Sequence, residues 1–107
     1  MNIENTQAQM RKGILEYCIL LIIARNDAYV QDIINKLLVV EGTVYPLLTR
    51  LKNTGLLAYR WEESTQGPPR KYYNITEQGR QFLQALETSW EELTTAIEIL
   101  KAPHTPQ

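Results

Sequence analysis

The sequence is poor in the residues that small enzymes and metal-binding or disulfide-bonded domains depend on. Its 107 residues include one cysteine and one histidine. A single thiol cannot form a disulfide within the chain or build a cysteine-based metal site. No Ser/His/Asp or Cys/His set, carboxylate–histidine cluster or glycine-rich phosphate loop can be assembled from the remaining residues. We therefore expect a protein that is not an enzyme, with no cofactor, no metal and no catalytic residue.

Long hydrophobic runs are lacking as well. The longest unbroken apolar stretch is Tyr17–Ala24, far short of the roughly 20 residues that cross a bilayer. The small-residue cleavage site of a secretory signal does not follow it. Cys18 lies inside this stretch, where a thiol is expected to be an inert part of the core. These features predict a cytoplasmic protein with no membrane partner.

The charge is nearly balanced, at a net −1, but it is unevenly distributed. Residues 42–71 are basic and residues 72–107 are acidic. The cations of the basic segment are Arg50, Lys52, Arg60, Arg70 and Lys71. Such asymmetry is typical of a surface that faces a polyanion. An ordinary solvated surface would look the same from charge alone, so the interpretation depends on where these residues lie in the fold.

Hydrophobic periodicity predicts three helices in the first half of the chain. A Thr-x-x-Gln capping box at Thr6 begins a helix that ends near Ala24. A second helix spans Tyr29–Leu37. The third follows a cap at Thr43, tolerates Pro46 only in its first turn, and ends at Gly55.

In the second half of the chain, the helical spacing of apolar residues gives way to segments typical of strands. Leu56–Glu62 and Arg70–Ile75 are rich in aromatic and β-branched residues and predict two strands joined by the loop Glu63–Pro69. Thr76 then caps a last helix, Glu77–Ala102. The order predicts a mainly α fold of the α+β winged-helix type, with three helices, a two-stranded wing and a long C-terminal dimerisation helix. We expect residues 1–76 to form the winged helix-turn-helix DNA-binding domain, with its N-terminal helix joining the dimer interface. Residues 77–102 should form the dimerisation helix and residues 103–107, with His104, a flexible tail.

Four segments in order resemble the PadR-type transcriptional regulators. They are Gly42-Thr-Val-Tyr-Pro-Leu-Leu-Thr-Arg-Leu51, Gly55-Leu-Leu, Gly67-Pro-Pro-Arg-Lys-Tyr-Tyr73 and Ile75-Thr-Glu-Gln-Gly79. The resemblance implies a recognition helix, Thr43–Arg50, in the major groove with the wing beside it. One departure is the connection Leu37–Glu41, which is shorter than such proteins usually have. Either a stretch of the connection is missing from the sequence here, or the chain makes an unusually compact turn.

Polar residues on this helix and on the wing are the predicted DNA contacts, because one face of a recognition helix packs while the other presents donors to bases and phosphates. Tyr72 and Tyr73 point to opposite faces of a strand, and the register decides which one is buried. The predicted contacts are Thr43, Tyr45, Thr49, Arg50, Lys52, Arg70, Lys71 and Tyr72.

The last helix carries an apolar seam with alternating spacings of three and four residues, typical of a coiled coil. Exposing it would forfeit on the order of 10 kcal/mol, so we expect a second copy of the chain to cover it. The predicted dimer interface is Leu83, Leu86, Trp90, Leu93, Ile97 and Leu100.

Trp90 lies in the middle of this seam and has two interpretations. Short PadR-type repressors can use a tryptophan at the matching position to bind flat aromatic compounds, and that resemblance implies an effector site formed by Trp90, Tyr17 and Leu21. The alternative is that Trp90 only packs the dimer.

The functional prediction is a sequence-specific regulator, acting as a dimeric repressor on an inverted-repeat operator in double-stranded DNA, with a possible small aromatic or hydrophobic effector at the dimer interface. The alternative is a winged-helix module that binds another protein without specific DNA binding, which the near-neutral net charge leaves open.

Overall fold

A computed structural model describes residues 2–39 and 41–103 of the chain. The predicted fold class is confirmed: helices form most of the described chain, and a small antiparallel sheet has its hairpin after the third of them. Of the predicted tail, only Pro103 is described, and His104 lies outside the described residues. The elements are α1 (Ile3–Arg25), β1 (Ala28–Tyr29), α2 (Val30–Leu37), α3 (Glu41–Asn53), β2 (Leu57–Ser64), β3 (Gly67–Ile75) and α4 (Glu77–Lys101).

The first helix begins earlier than its sequence predicts. Asn2, not Thr6, is the N-cap, and its side-chain oxygen accepts a hydrogen bond from the Asn5 N–H at 3.2 Å. The Thr6 hydroxyl instead donates to the Asn2 carbonyl oxygen at 3.5 Å, from within the helix. The predicted capping box is therefore wrong, because an asparagine four residues upstream satisfies the first free N–H groups.

The α2 helix ends at a left-handed residue, and Val40 of the connection to α3 lies outside the described residues. Leu38 has φ 56° and ψ 40°, the left-handed conformation that ends many helices, and its N–H donates to the Ile34 carbonyl at 2.9 Å. The third helix then begins at Glu41, so Thr43 lies inside it and is not its cap. Pro46 consequently falls in the second turn rather than the first. The Gly42 carbonyl that it leaves without an N–H partner is on an exposed residue, where water can satisfy it.

The sheet has three strands rather than two. The chain between α1 and α2 adds the short strand β1, which pairs antiparallel with β3 through Ala28–Tyr73 and Tyr29–Tyr72, and the order is β1-β3-β2. Two paired residues flanked by helices leave no periodic signal in a sequence, which explains why β1 was not predicted.

The β2–β3 hairpin, called the wing from here on, is longer than predicted. Its strands continue to a tight turn at Thr65 and Gln66, so the predicted loop Glu63–Pro69 is largely strand. The register shifts between Glu62 and Ser64, so that Glu63 lies opposite both Pro68 and Pro69. A bulge of this kind accommodates prolines, which have no N–H to donate to the ladder.

Two helix ends follow the sequence prediction. Gly55, at φ 84°, ends α3 in a Schellman motif, in which Gly55 N–H donates to the Lys52 carbonyl and Leu56 N–H to the Leu51 carbonyl, both at 3.0 Å. Thr76 caps α4, and its hydroxyl oxygen accepts from the Gly79 N–H at 2.9 Å.

The core lies where the C-terminal half of α1, α2, α3, the sheet and the first turns of α4 meet. We call this part of the molecule the head. Its largest fully buried side chains are Ile19, Leu20, Ile23, Ile33, Val44, Leu48 and Leu51. The remainder, Ile3–Ile14 of α1 and Leu86–Lys101 of α4, projects from the head as an antiparallel pair of helices that we call the arm. The arm makes the molecule elongated, with extents of 69 × 31 × 22 Å and a radius of gyration of 17.2 Å, against about 13 Å for a compact chain of this length.

Candidate nucleic-acid interface

The predicted DNA contacts on α3 lie on three sides of the helix: the solvent side, the flank toward α1 and the flank toward the wing. At 100° per residue, its buried residues mark one side and the opposite side faces solvent. The buried residues are Val44, Leu47, Leu48 and Leu51. The solvent side carries no charge, since it is formed by Gly42, Tyr45, Pro46, Thr49 and Asn53. Thr43 and Arg50 lie on the flank toward α1, and Lys52 lies on the flank toward the wing.

The flank toward the wing holds two cations against aromatic rings. Lys71 Nζ of β3 lies 4.4 Å from the ring centroid of Tyr59 and 5.4 Å from that of Trp61, both on β2. Lys52 Nζ of α3 lies 5.8 Å from the same Tyr59 ring. An aromatic face attracts an ammonium group without neutralising it. Both cations therefore keep their charge available to an anion in solution.

A groove of about 510 Å³ runs between the N-terminal half of α3 and the wing. Tyr45 of α3 and Trp61 of β2 lie on its two sides, and Arg70 and Lys71 of β3 supply its positive charge. Glu41, at the start of α3, is its one acidic lining residue among the described part of the chain. The groove brings together three of the predicted contacts, Tyr45, Arg70 and Lys71, with the unpredicted Trp61.

The strand register shows which of the two neighbouring tyrosines, Tyr72 or Tyr73, is buried. Tyr73 is buried in the core, and that burial, followed by the proximity of Tyr45 and Tyr59, raises the pKa of its phenol. Tyr72 is half-buried on the other face of the wing, 5.4 Å from the ring of Tyr29. It faces away from Trp61 and Lys71, so its predicted DNA contact would come from the opposite side of the strand.

The face of the wing that carries Tyr72 holds two arginines, and they differ in whether a carboxylate binds them. Arg70 lies 4.7 Å above the Tyr29 ring. Arg60 lies over Tyr72 but is paired with carboxylates, at 2.5 Å from Asp27 and 2.8 Å from Glu62. These hydrogen bonds raise the pKa of Arg60 further above its ordinary value.

Arg50 is also paired, on the other side of α3. Its guanidinium donates to the carboxylate of Glu16 on α1. The structure therefore separates Arg50 from Lys52, Arg70 and Lys71, although the sequence groups all four as DNA contacts.

The seam of α4 changes character along its length. Leu83 packs into the core of its own chain and Leu86 is half-buried against it. Beyond them, Trp90, Leu93, Ile97 and Leu100 are 42%, 59%, 48% and 82% exposed. The uncovered part of the predicted interface thus lies on the arm.

A small apolar groove of about 210 Å³ separates the two helices of the arm. Tyr17 and Trp90 lie at its inner end with ring centroids 5.9 Å apart. Burial, and then the nearby carboxylates Glu87 and Glu91, raises the pKa of Tyr17. Leu21 does not line this groove, since it lies one turn further along α1 beside Arg25. Two of the three predicted effector residues are therefore together and the third is apart.

Comparison with known proteins places this arrangement in a family. The model of the Transcriptional regulator PadR-like family matches residues 19–85, from the C-terminal half of α1 to the third turn of α4. The chain belongs to the PadR-like family. It is accordingly a DNA-binding transcriptional regulator and not an enzyme, as the sequence predicts. No helix in the described part of the chain has the length and apolarity needed to cross a membrane.

Solved PadR-like structures have the same fold over most of the chain. A PadR-like transcription factor from Bacteroides fragilis is 57% identical, with 90% of this chain and 98% of that one covered and a TM-score of 0.79. A PadR-like transcriptional regulator from Bacillus cereus is 37% identical, with 89% and 99% covered and a TM-score of 0.79. An uncharacterised protein of Lysinibacillus sphaericus is 28% identical over 96 residues, which is 82% of this chain and 88% of that protein.

Two residues of this PadR-like interface were not predicted from the sequence. Trp61, 62% exposed, lines the groove, and Asn53 lies on the solvent side of α3. The alternation of Tyr59 and Trp61 in a strand, two residues apart with Arg60 between them, was a signal for an exposed aromatic face. Asn53 gave no such signal because it belongs equally to the turn that ends the helix.

Proposed function

We propose that the chain is a cytoplasmic dimeric repressor that binds an inverted-repeat operator in double-stranded DNA through α3 and the wing. The groove between Tyr45 and Trp61 carries this proposal, because it places the unneutralised charges of Arg70 and Lys71 beside an exposed helix. Phosphate contacts of this kind supply most of the affinity and fix the orientation of a protein on DNA.

Reading of the base sequence falls to the solvent side of α3. Tyr45, Thr49 and Asn53 present hydroxyl and amide groups, which donate to and accept from base edges in the major groove. With no charge on this side, affinity and sequence preference are supplied by different residues: the cations of the flank and wing bind phosphate, and the neutral groups select bases.

Dimerisation is supported by the exposed half of the α4 seam. A chain that leaves Leu93, Ile97 and Leu100 in water loses roughly 1.5–3 kcal/mol for each large side chain that a partner could bury. Two copies joined through their arms would present two recognition helices about 34 Å apart, one turn of DNA, to the two halves of an inverted repeat.

The groove at Tyr17 and Trp90 supports modulation by a flat aromatic or hydrophobic molecule. It is lined mainly by apolar side chains, and it lies between the two helices whose relative position sets the geometry of the dimer. A ligand changes DNA affinity only if it binds two dimer geometries differently. Filling this groove would do so by spacing α1 from α4.

Polarisation titrations of labelled duplexes test the DNA proposal. The DNA upstream of the gene is expected to bind more tightly than a shuffled duplex, and Thr49→Ala to reduce that preference by about tenfold, one lost base contact of roughly 1.4 kcal/mol. Thr95→Ala, on the exposed side of α4, is the matched control. Equal affinity for both duplexes in all three proteins would favour the protein-binding alternative.

Tryptophan fluorescence tests the effector proposal. Planar aromatic compounds are expected to quench the wild-type protein and Trp61→Ala, which retains Trp90. The same compounds should leave Trp90→Ala unquenched, since its remaining tryptophan lies on the wing. Quenching that disappears with Trp61 instead would place the aromatic site in the DNA groove, and no quenching across a varied set of compounds would refute the site.

A further inference from the structure

The contact between Arg50 and Glu16 has no part in the DNA-binding scheme above. Arg50 is the one predicted contact on α3 that is bound to a carboxylate in the described structure. The Glu16 side chain is only 16% exposed, whereas that of Arg50 is 53% exposed. The guanidinium can therefore reach solvent while the carboxylate stays against the protein between α1 and α3.

We propose that Glu16 is a built-in competitor of the DNA phosphate, which holds Arg50 on the α1 flank of α3 and lowers the affinity of the protein for DNA. The proposal rests on the proposed function in one respect, that α3 faces DNA. It adds a residue of α1 that sets how strongly the interface binds.

The electrostatics of the pair give the direction of the effect. A guanidinium–carboxylate pair carries no net charge, so Arg50 attracts phosphate weakly while it is bound to Glu16. If Arg50 leaves to contact phosphate, a largely covered carboxylate remains without its cation and near a polyanion. That unpaired charge is costly because it has lost most of its contact with water. Glu16 therefore opposes DNA binding whether Arg50 stays or leaves.

Comparison with the other cations shows that this arrangement is specific to Arg50. Lys52 and Lys71 lie over aromatic rings and keep their charge. Arg60 is neutralised, but by Asp27 just before β1 and by Glu62 of β2, which are both about half exposed. Arg50 alone among these is held from α3 to a different helix by a mostly covered acid.

The position of Glu16 on α1 gives the competition a route to control. The next residue, Tyr17, contacts Trp90 in the groove of the arm. Both residues belong to one continuous helix, so a displacement of α1 at the groove also displaces the carboxylate that holds Arg50.

The test is the affinity of Glu16→Gln for a duplex of arbitrary sequence, measured by polarisation over a series of salt concentrations. The amide matches the carboxylate in shape but releases Arg50 from its ion pair. We expect binding about tenfold tighter at low salt. We also expect the slope of log affinity against log salt to become steeper by about 0.9, the value for one additional phosphate contact. Glu92→Gln, an exposed acid on α4, changes the net charge equally and should leave the slope unchanged.

A double-mutant cycle separates this role from a general effect of charge or packing. In an Arg50→Gln background, Glu16→Gln is expected to change affinity by less than twofold, since the competed cation is gone. Unchanged or weaker binding by Glu16→Gln, or an equal gain in the Arg50→Gln background, would overturn the proposal. Should Glu16→Gln fail to fold, Glu16→Asp is the second variant, whose shorter carboxylate is expected to raise affinity by two- to fivefold, and no gain would count equally against the proposal.

Failure here is distinguishable from failure of the proposed function. The measurement needs no operator, so absence of sequence preference in Thr49→Ala and wild type alike would refute the specific regulator while the Glu16 effect remained readable. Conversely, sequence-specific binding that Glu16→Gln leaves unchanged would refute only the competition.

Discussion

The head and the arm are built from the same kind of apolar periodicity, but they differ in how much of it the chain covers. In the head, the apolar residues of α1, α2 and α3 converge on one core, where Ile19, Ile33 and Leu48 are fully buried. In the arm, Leu93, Ile97 and Leu100 follow the same seam as the buried Leu83 and remain exposed. The head buries its apolar residues within one chain, whereas the arm leaves its seam exposed, for a second chain to cover in the proposed dimer.

This difference separates two functions along one polypeptide. The head holds α3 and the wing in place through its own core, so the proposed DNA-facing surface does not depend on a partner for its shape. In the proposed dimer, the arm would determine how two such surfaces are spaced. Substitutions in the arm should therefore change assembly and leave the head intact, and substitutions in the head should do the reverse.

The largest expected effect comes from a charge in the seam. Ile97→Asp would place a carboxylate in the proposed interface twice per dimer, at roughly 2 kcal/mol each, which weakens dimerisation about a thousandfold. Sedimentation equilibrium should show a 12.4 kDa monomer. Circular dichroism should show unchanged helical content. Thr95→Asp, on the opposite side of α4, should still dimerise. A dimeric Ile97→Asp protein would mean that the arm is covered in another way.

Replacing a helical glycine with alanine should lower the stability of the protein in the head and raise it in the arm. In the head, a Cβ on Gly79 would lie 2.1 Å from the Leu56 carbonyl oxygen, so Gly79→Ala should destabilise the protein by about 3 kcal/mol. In the arm, a Cβ on Gly13 meets nothing within 4 Å, and Gly13→Ala should stabilise α1 by up to about 1 kcal/mol. Urea unfolding at fixed protein concentration measures both. Equal effects would remove the distinction between the two regions.

Removing a cation should change the salt dependence of DNA affinity when the cation lies in the head, but not when it lies in the arm. Lys71→Ala removes one proposed phosphate contact from the head, and the salt dependence of DNA affinity should become shallower by about 0.9 in its logarithmic slope. Lys101→Ala removes an equal charge from the last turn of the arm and should leave the slope unchanged. If both variants lower the slope alike, the arm contacts DNA as well.

The smallest effect concerns alkaline pH. Burial raises the pKa of Tyr73 in the head above 10.0, so the folded state holds this proton more tightly than the unfolded state does. Its contribution to stability is complete below the unfolded pKa and is lost as pH rises through the folded pKa. Wild type should therefore lose more stability above pH 10 than Tyr73→Phe in parallel urea titrations. Tyr17, only half-buried beside the groove of the arm, should show the same sign with a smaller difference, and a reversed order would contradict the burial argument.

Much of the fold could be predicted because its elements have strong local signals. The apolar spacing of α3, the Schellman glycine Gly55 and the cap Thr76 each act within a few residues, and all three are confirmed. Elements fixed by distant partners were missed. The strand β1 exists because β3 offers it an edge. The start of α1 was missed for a local reason, since Asn2 caps the helix better than the Thr6 further along.

The candidate site was predicted less completely, because residue type does not reveal what a side chain contacts. Arg50 and Lys52 are two residues apart and look equivalent in the sequence, but one is held by Glu16 of α1 and the other lies over Tyr59 of the wing. Leu21 and Tyr17 are one helical turn apart, but the path of α4 brings only Tyr17 to Trp90. These distinctions depend on tertiary contacts that no periodicity encodes. The DNA-contact, effector and interface residues stay predictions until the titrations above are made.

The two prolines at the bulge of the wing have a consequence for solubility. Because β1 pairs only with Tyr72 and Tyr73, β3 has an open edge from Gly67 to Lys71. Such an edge can recruit strands from other molecules and start aggregation. Pro68 and Pro69 lack the N–H groups that an incoming strand would need, and Arg70 and Lys71 add like charges that repel a second copy. The wing can thus extend into solvent, as its proposed contact with DNA requires, without pairing with the wing of another molecule.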